Sequence, residues 1–329
     1  MEVVRFALIG CGPMGRRLAD SLASRADARV AAVVDPAAEA RHQAAEAYRA
    51  DGYADHAQAL ARDDIDAVVV ATPSHLHKEI VIHAAQARKH VFCEKPMALT
   101  LADCDQMIAA AEAAGVRLMV GQVLRLMFPF WRIRELASPG ELGIPVCVSI
   151  RRLMQLPETG WRGRRAHSGG PLFEVHVHEL DFMRHLCGEV AQISAYGGQF
   201  LSEGVDYYDT YLVNLRFRSG TVGHLHGGRG VGGQPFEGRI ICPGGMLSFG
   251  PEWGAGTVQR AGGEPEPLRA ESRSGPVGID WELDSFVQWV LRDRPPVVTA
   301  RDGRAAVELA EAAYRSIEQG RPVDIAGQP

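Results

Sequence analysis

The feature that most restricts this chain is a glycine-rich turn, Gly10-Cys11-Gly12-Pro13-Met14-Gly15, set between an apolar run and an amphipathic one. The run Val3–Ile9 is short and continuous, as a strand buried on both faces would be, and a helix pattern extends from Met14 to about Ala26. In such a turn Gly10 permits the sharp bend, Gly12 lets the backbone approach a phosphate, and Gly15 lets helix and strand pack closely. The amides at the helix start, around Pro13 and Met14, then face an anion. Asp35 closes the next apolar run, Val30–Val34, and lies 20 residues beyond Gly15, where a carboxylate holds the ribose hydroxyls of a dinucleotide. Its charge repels a 2′-phosphate, so NAD is favoured over NADP, although Arg41 could reach such a phosphate.

The alternation continues. Ala37–Ala50 is a helix pattern, Asp66–Ala71 a strand, Lys78–Arg88 a helix and His90–Cys93 a strand. Leu101–Ala114 follows as a helix, with Thr100 and Asp103 as its start signal and Gly115 as its stop, and Leu118–Val120 is a further strand. Strands separated by helices at this spacing predict a doubly wound parallel α/β domain over residues 1–121. Residues 122–329 change character, with strand patterns at Val146–Ile150, Gln192–Tyr196, Thr210–Phe217, Thr221–Leu225, Arg239–Cys242 and Met246–Phe249. Helix patterns occur at Glu179–Leu186, at Trp281–Leu291, and from Thr299 and Asp302 to Gly320. The stretch 251–278, rich in Gly, Pro and Glu, is expected to be a surface loop. The second domain is therefore expected to be α+β with a large open, mainly antiparallel sheet, and part of the C-terminal helices could return to the first domain.

Composition excludes several classes. A length of 329 residues suits two domains, and 35 basic against 40 acidic residues leaves a net charge of −5, which argues against nucleic-acid and polybasic membrane partners. No apolar run approaches the roughly 18 residues of a membrane helix, the N-terminus lacks a signal-peptide pattern, and a cytoplasmic location is expected. Six cysteines stand singly, suggesting neither a zinc ribbon nor a disulfide framework. Only Lys78, Lys89 and Lys95 interrupt an otherwise all-arginine set of cations, so a lysine at a strand end draws notice.

Two strand ends carry such residues: Thr72-Pro73-Ser74-His75-Leu76-His77 after the third strand pattern and Glu94-Lys95-Pro96 after the fourth. Further on stands Gly169-Gly170-Pro171-Leu172-Phe173-Glu174-Val175-His176-Val177-His178-Glu179-Leu180-Asp181, and near the end Ala313-Tyr314-Arg315-Ser316 and Gly320-Arg321-Pro322-Val323. In this order the segments resemble the glucose–fructose oxidoreductase, inositol dehydrogenase and rhizopine catabolism (Gfo/Idh/MocA) family, nearly end to end. The resemblance implies that Lys95 contacts the nicotinamide side and the reacting hydroxyl, and that Glu94 lies by the nicotinamide ribose. It places Thr72, Pro73, Ser74 and His77 beside the cofactor, with Gln122 counted among the same contacts. His178 matches the histidine that exchanges the hydroxyl proton, and Glu174 falls where many members have an assisting aspartate. Trp161 and Arg162 resemble a segment near the family's substrate pocket, Arg125 is counted on the same substrate side, and His176 is expected to reshape the pocket or contact the substrate.

The implied chemistry is coherent. Oxidising a secondary alcohol sends a hydride to the nicotinamide and releases a proton, for which a neutral imidazole is a suitable acceptor. An ammonium at Lys95 favours the alkoxide, and Glu174, one helical turn before His178 if the helix begins this early, could fix the imidazole tautomer. Two departures from the family pattern stand out. Glu174 is one methylene longer than the usual aspartate, and His176 replaces a glycine. Glu174, His176 and His178 alternate as metal ligands do on a strand, but the segment runs into a helix and no metal is expected. The leading expectation is an NAD-dependent dehydrogenase acting on a ring hydroxyl of a sugar, sugar derivative or cyclitol. The alternatives are a redox-neutral NAD-dependent glycosidase, which oxidises, eliminates and reduces, and a non-catalytic ligand sensor. The resemblance further implies a homodimer or homotetramer assembled through the open sheet.

Overall fold

Continuous apolar runs become strands covered on both faces. The computed structural model describes residues 3–155, 159–231, 233, 235–270 and 275–326. The chain divides into two compact units, residues 1–123 with 276–304, and residues 124–275 with 305–329.

The first unit holds strands β1 (Val4–Ile9), β2 (Ala28–Val34), β3 (Asp51–Tyr53), β4 (Ala67–Val70), β5 (His90–Cys93) and β6 (Leu118–Val120). They form one parallel sheet in the order β3-β2-β1-β4-β5-β6. The winding reverses between β1 and β4, the switch point at which such sheets bind ligands. Helices α1 (Pro13–Ala23), α2 (Ala38–Tyr48), α3 (His56–Leu60), α4 (His77–Gln86) and α5 (Leu101–Ala114) connect the strands. Helix α10 (Ile279–Arg292) returns to this unit and inserts Phe286 between Phe6 and Phe92, with ring centroids 6.1 and 5.9 Å away. The Thr100 hydroxyl accepts from the Asp103 amide and Gly115 ends α5 in the left-handed region, as the sequence signals require. Strand β3 and helix α3 were not expected. Asp51-Gly52-Tyr53 is a short edge strand without an apolar run to reveal it.

The second unit holds β7 (Cys147–Met154), β8 (Val190–Gly198), β9 (Thr210–Phe217), β10 (Val222–Arg229), β11 (Phe236–Cys242), β12 (Gly245–Phe249), β13 (Gly256–Arg260), β14 (Glu266–Pro267) and β15 (Val323–Asp324). They form one sheet in the order β14-β13-β12-β11-β7-β10-β9-β8-β15. The β7–β10 pair is parallel and every other pair antiparallel. Along β9 the residues Tyr211, Val213, Leu215 and Phe217 are buried while Leu212, Asn214 and Arg216 are exposed, so one face is covered and one open. Helices α6 (Phe130–Leu136), α7 (Arg165–Ser168), α8 (Pro171–Glu174) and α9 (Val177–Cys187) belong to this unit, as does α11 (Ala300–Gln319) from residue 305 onward. Phe130 packs against Phe182, Phe236 and Phe249 at centroid distances of 5.0, 5.6 and 4.9 Å.

The expected loop over 251–278 is corrected in part. Strands β13 and β14 occupy its middle, because Val258 and Leu268 are buried and their backbones pair across a short turn. Residues 271–274 lie outside the described residues. No helix among the described residues is long and apolar enough to cross a membrane.

Candidate functional site

In the first unit the sequence-predicted residues gather at the carboxyl ends of adjacent strands. Gly10 follows β1 with φ 99°, and a Cβ there would stand 2.5 Å from the Ala71 carbonyl oxygen beyond β4, so only glycine fits. A Cβ on Gly12 would meet nothing within 4 Å, leaving the backbone open on the side where a pyrophosphate lies. Gly12 is also the N-cap of α1 and supplies no side-chain hydrogen bond, while Pro13 opens the helix, so no cap side chain takes the first amides. Asp35 stands directly over this turn. One of its oxygens accepts from the Cys11 amide at 2.9 Å and the other from the Ala37 amide at 2.9 Å. The Arg41 guanidinium donates to the Asp35 carbonyl at 2.7 Å, which places a cation beside the carboxylate. Burial pushes the Cys11 thiol up to about 11, so it is an inert neighbour.

Beyond β4 the chain turns through Thr72 and Pro73 into a single helical turn, Ser74–Leu76, and then α4. His77 is buried, and its ring joins two loops. Nδ1 is 2.9 Å from the Pro96 carbonyl and Nε2 3.0 Å from the Thr72 carbonyl. His77 thus fixes the loop after β4 to the Glu94-Lys95-Pro96 turn after β5. Glu94 is buried and accepts from the Lys95 amide at 3.1 Å, while Lys95 is half-buried. Two buried polar atoms on this edge, Thr72 Oγ1 and Gln122 Oε1, have no hydrogen-bond partner. Unsatisfied buried polar atoms are costly, and here they belong to the same carboxyl edge of the sheet as a glycine turn and an aspartate of the dinucleotide type. These residues fit a bound dinucleotide.

In the second unit the histidine segment is built from two short helices rather than one. α8 ends at Glu174, Val175 breaks the helical geometry with φ −118° and ψ −58°, and α9 begins at Val177. Glu174 and His178 are therefore not one turn apart on a continuous helix, which corrects the sequence expectation. Pro171, fixed in φ and without an amide proton, starts α8 immediately after two glycines in the left-handed region. Glu174 accepts from Arg162 Nε at 3.3 Å, and the Arg162 guanidinium lies 4.3 Å above the Trp161 ring.

His176 does not face solvent. It is fully buried, with Nδ1 3.0 Å from Glu179 Oε2 and its ring edge-to-face with Tyr211 at 5.5 Å. It occupies room left by Gly227 on β10, where a Cβ would stand 2.9 Å from His176 Nε2. Glu179, also fully buried, accepts from Arg152 at 2.7 Å. Burial alone would raise its pKa, but the Arg152 charge and the His176 hydrogen bond hold Glu179 down to about 2. Burial keeps His176 low despite Glu179. His178 itself is half-buried. Arg125, expected to face substrate, is buried and makes a two-pronged pair with Asp181 at 2.6 Å for both contacts.

Sequence reasoning missed Arg152 and Glu179. Arg152 lies two residues beyond the expected strand Val146–Ile150 and Glu179 opens the expected helix Glu179–Leu186, and nothing local announced that they would meet. Among the described residues no group of three or more His, Cys, Asp or Glu is placed to hold a metal ion.

Residues 4–122 match the family model described as an oxidoreductase family with an NAD-binding Rossmann fold, and residues 130–248 match the GFO/IDH/MocA C-terminal domain. The chain is 36% identical over 224 residues to a 2,7-anhydro-N-acetylneuraminate hydratase of Mediterraneibacter gnavus, covering 66% of this chain and 59% of that protein. The match thus spans about three fifths of the hydratase's length. It is 30% identical over 342 residues to a myo-inositol 2-dehydrogenase of Thermotoga maritima, covering 98% of each. Its fold matches the crystal structure of an aldose-aldose oxidoreductase from Caulobacter crescentus complexed with glycerol, with a TM-score of 0.92, 28% identity, and coverage of 98% of this chain and 100% of that one.

Proposed function

This chain belongs to the GFO/IDH/MocA oxidoreductase family, and from that premise we propose that it is an NAD-dependent dehydrogenase acting on a ring hydroxyl of a sugar, sugar derivative or cyclitol. The observation that carries the cofactor half is the carboxyl edge of the parallel sheet. Asp35 is held by two amides above an open Gly12, and Thr72 Oγ1 and Gln122 Oε1 lie buried without a partner. When bound there, the nicotinamide supplies the hydride acceptor. Asp35 holds the adenosine ribose and Gly10, Gly12 and Gly15 give the backbone its approach to the phosphates, with Pro13 and Met14 at the helix start. Thr72, Pro73, Ser74, Glu94 and Gln122 line the nicotinamide end, and His77 keeps the loop after β4 and the Glu94-Lys95-Pro96 turn together. Asp35 favours NAD over NADP.

For the reacting alcohol, the Lys95 ammonium stabilises an alkoxide at the substrate oxygen and His178 accepts the hydroxyl proton. Glu174 and Arg162, paired with each other, with Arg162 stacked on Trp161, present hydrogen-bonding groups for a polyol. His176 and Arg125 shape this segment from inside rather than touching substrate, being buried on Glu179 and Asp181.

A second reading is favoured by one observation, the likeness to a hydratase of an anhydro sugar. The same residues would then serve a redox-neutral route, in which a sugar carbon is oxidised, the acidified neighbouring position eliminates its substituent, and the hydride returns. Incubation with NAD and a panel of inositols, aldoses, anhydro sugars and glycosides separates the two. The first predicts NADH accumulation with one class of polyol, and the second predicts bond cleavage without net NADH.

The open face of the second sheet leaves Tyr196, Leu212, Val222 and Ile241 exposed, and we propose that a second copy of the chain covers it in a homodimer or homotetramer. Light scattering that gives a monomer mass at micromolar concentration would remove this proposal.

A further inference from the structure

A buried acceptor on the carboxyl edge of the parallel sheet lacks a donor. Gln122 follows β6 and is 1% exposed, and among the described residues its side-chain oxygen Oε1 finds no hydrogen-bond partner. The Gln122 backbone amide bonds the Val120 carbonyl at 3.0 Å, so the chain turns directly after the strand. An amide oxygen can only accept, and the group it needs is a donor. Thr72 Oγ1, the other unsatisfied atom of this edge, can give or take a hydrogen bond and selects neither.

The strand order narrows the donor. In the sheet β3-β2-β1-β4-β5-β6, Asp35 follows β2 and the glycine turn follows β1. A dinucleotide with its adenosine ribose on Asp35 and its pyrophosphate on that turn extends its nicotinamide half over β4, β5 and β6. The ladder continues past these strands, with the Glu94 amide on the Val70 carbonyl and the Gly121 amide on the Cys93 carbonyl, both at 2.9 Å. Lys95 and Gln122 come next, on neighbouring strands about 4.8 Å apart. A Cβ on Gly121 would stand 3.5 Å from Glu94 Oε1, so a carboxylate already covers the end of β6 and brings acceptors to it. On the nicotinamide half the ribose hydroxyls suit that carboxylate, and the carboxamide is the group that carries N–H donors.

We propose that Gln122 accepts a carboxamide N–H of the nicotinamide through Oε1, and that this contact fixes the ring about its glycosidic bond and presents one ring face to the alcohol at Lys95. The site then demands an NH2 group of its cofactor, which Asp35 and the glycine turn do not. This role of Gln122 rests on the dinucleotide site of the proposed function, and the experiment keeps the two apart.

The probe is 3-acetylpyridine adenine dinucleotide, which carries a methyl group in place of the carboxamide NH2 and keeps the carbonyl, both riboses and the pyrophosphate. Its dissociation constant and that of NAD are measured by titration calorimetry on the full chain without polyol. The native protein is expected to bind the analogue about tenfold more weakly than NAD, because the buried oxygen stays unpaired. In Gln122→Met, close in shape and without the amide oxygen, the two dinucleotides are expected to bind within about twofold of each other. Gln122→Glu keeps an acceptor oxygen and keeps the preference for NAD. Equal binding of both dinucleotides by the native protein, or an undiminished preference for NAD in Gln122→Met, overturns the proposal and leaves the NAD site standing. Should Gln122→Met fail to fold, the native comparison still decides. A native protein that binds neither dinucleotide overturns the proposal and the cofactor reading together.

Discussion

The Asp35 carboxylate accepts the backbone amide of Cys11 at 2.9 Å, which ties the end of β2 to the glycine turn after β1. Its other oxygen takes the Ala37 amide. The anion is thus fixed before any ribose arrives, and both oxygens keep lone pairs for further donors.

Cofactor choice follows from that arrangement. Replacing Asp35 with serine removes the repulsion toward a 2′-phosphate and leaves Arg41 beside the site. NAD affinity should fall about tenfold, the effect of losing about 1.4 kcal/mol of charged hydrogen bonding, and NADP affinity should rise. Dissociation constants for both nucleotides, from protein fluorescence, check this. An Asp35→Ser protein that still prefers NAD as strongly as the native one contradicts the assignment.

His77 joins two loops through two carbonyls, so its removal should loosen both. His77→Ala is expected to raise the KM for NAD and lower kcat together, because the Pro96 carbonyl it holds belongs to the turn that carries Lys95. Hydrogen exchange at residues 72–76 and 94–97 should increase in the variant. Unchanged exchange there would show the ring to be dispensable for order.

The buried Arg125–Asp181 pair makes an asymmetric prediction. Arg125→Ala removes the counter-ion of the buried Asp181 carboxylate and should cost about 3–5 kcal/mol in denaturant unfolding, whereas a double replacement by apolar residues of similar volume should recover most of the loss. A small loss in the single variant would mean that the pair is reached by water.

Acid stability should carry the mark of Glu179. Burial is outweighed by Arg152 and His176, so its folded pKa, about 2, lies below the ordinary 4.5. A depressed carboxylate contributes stability that is complete above the unfolded value and is lost as pH falls toward the folded one. Between pH 4.5 and 2 the native chain should therefore lose more stability than Glu179→Gln. Parallel curves for the two proteins over that window would be inconsistent with the ionised, paired state.

How much of this was legible beforehand depended on whether local pattern or distant contact decides. The α5 boundaries, Leu101 and Ala114, and the strands His90–Cys93 and Leu118–Val120 appear where the sequence placed them, since apolar runs and capping residues act locally. The capping pair Thr299 and Asp302 is likewise reciprocal, each side chain taking the other's amide. The break at Val175 was not legible, because no glycine or proline marks it in the sequence and His176 beyond it packs against residues distant in the chain, Tyr211 and Gly227. The meeting of Arg152 with Glu179 was equally hidden, 27 residues apart in the chain. Strand β14 lacked any apolar alternation, being two exposed residues paired to β13.

The central claim, NAD-linked oxidation of a ring hydroxyl, is tested most directly by following NADH absorbance with NAD and a panel of inositols and aldoses, for the native protein and for Lys95→Ala. The account predicts NADH growth with one class of neutral polyol, slowed about 10²–10³-fold by the substitution, as expected when one electrostatic stabiliser of an alkoxide is lost. A flat trace from a protein that demonstrably binds NAD, or equal rates for the native protein and Lys95→Ala, would contradict it.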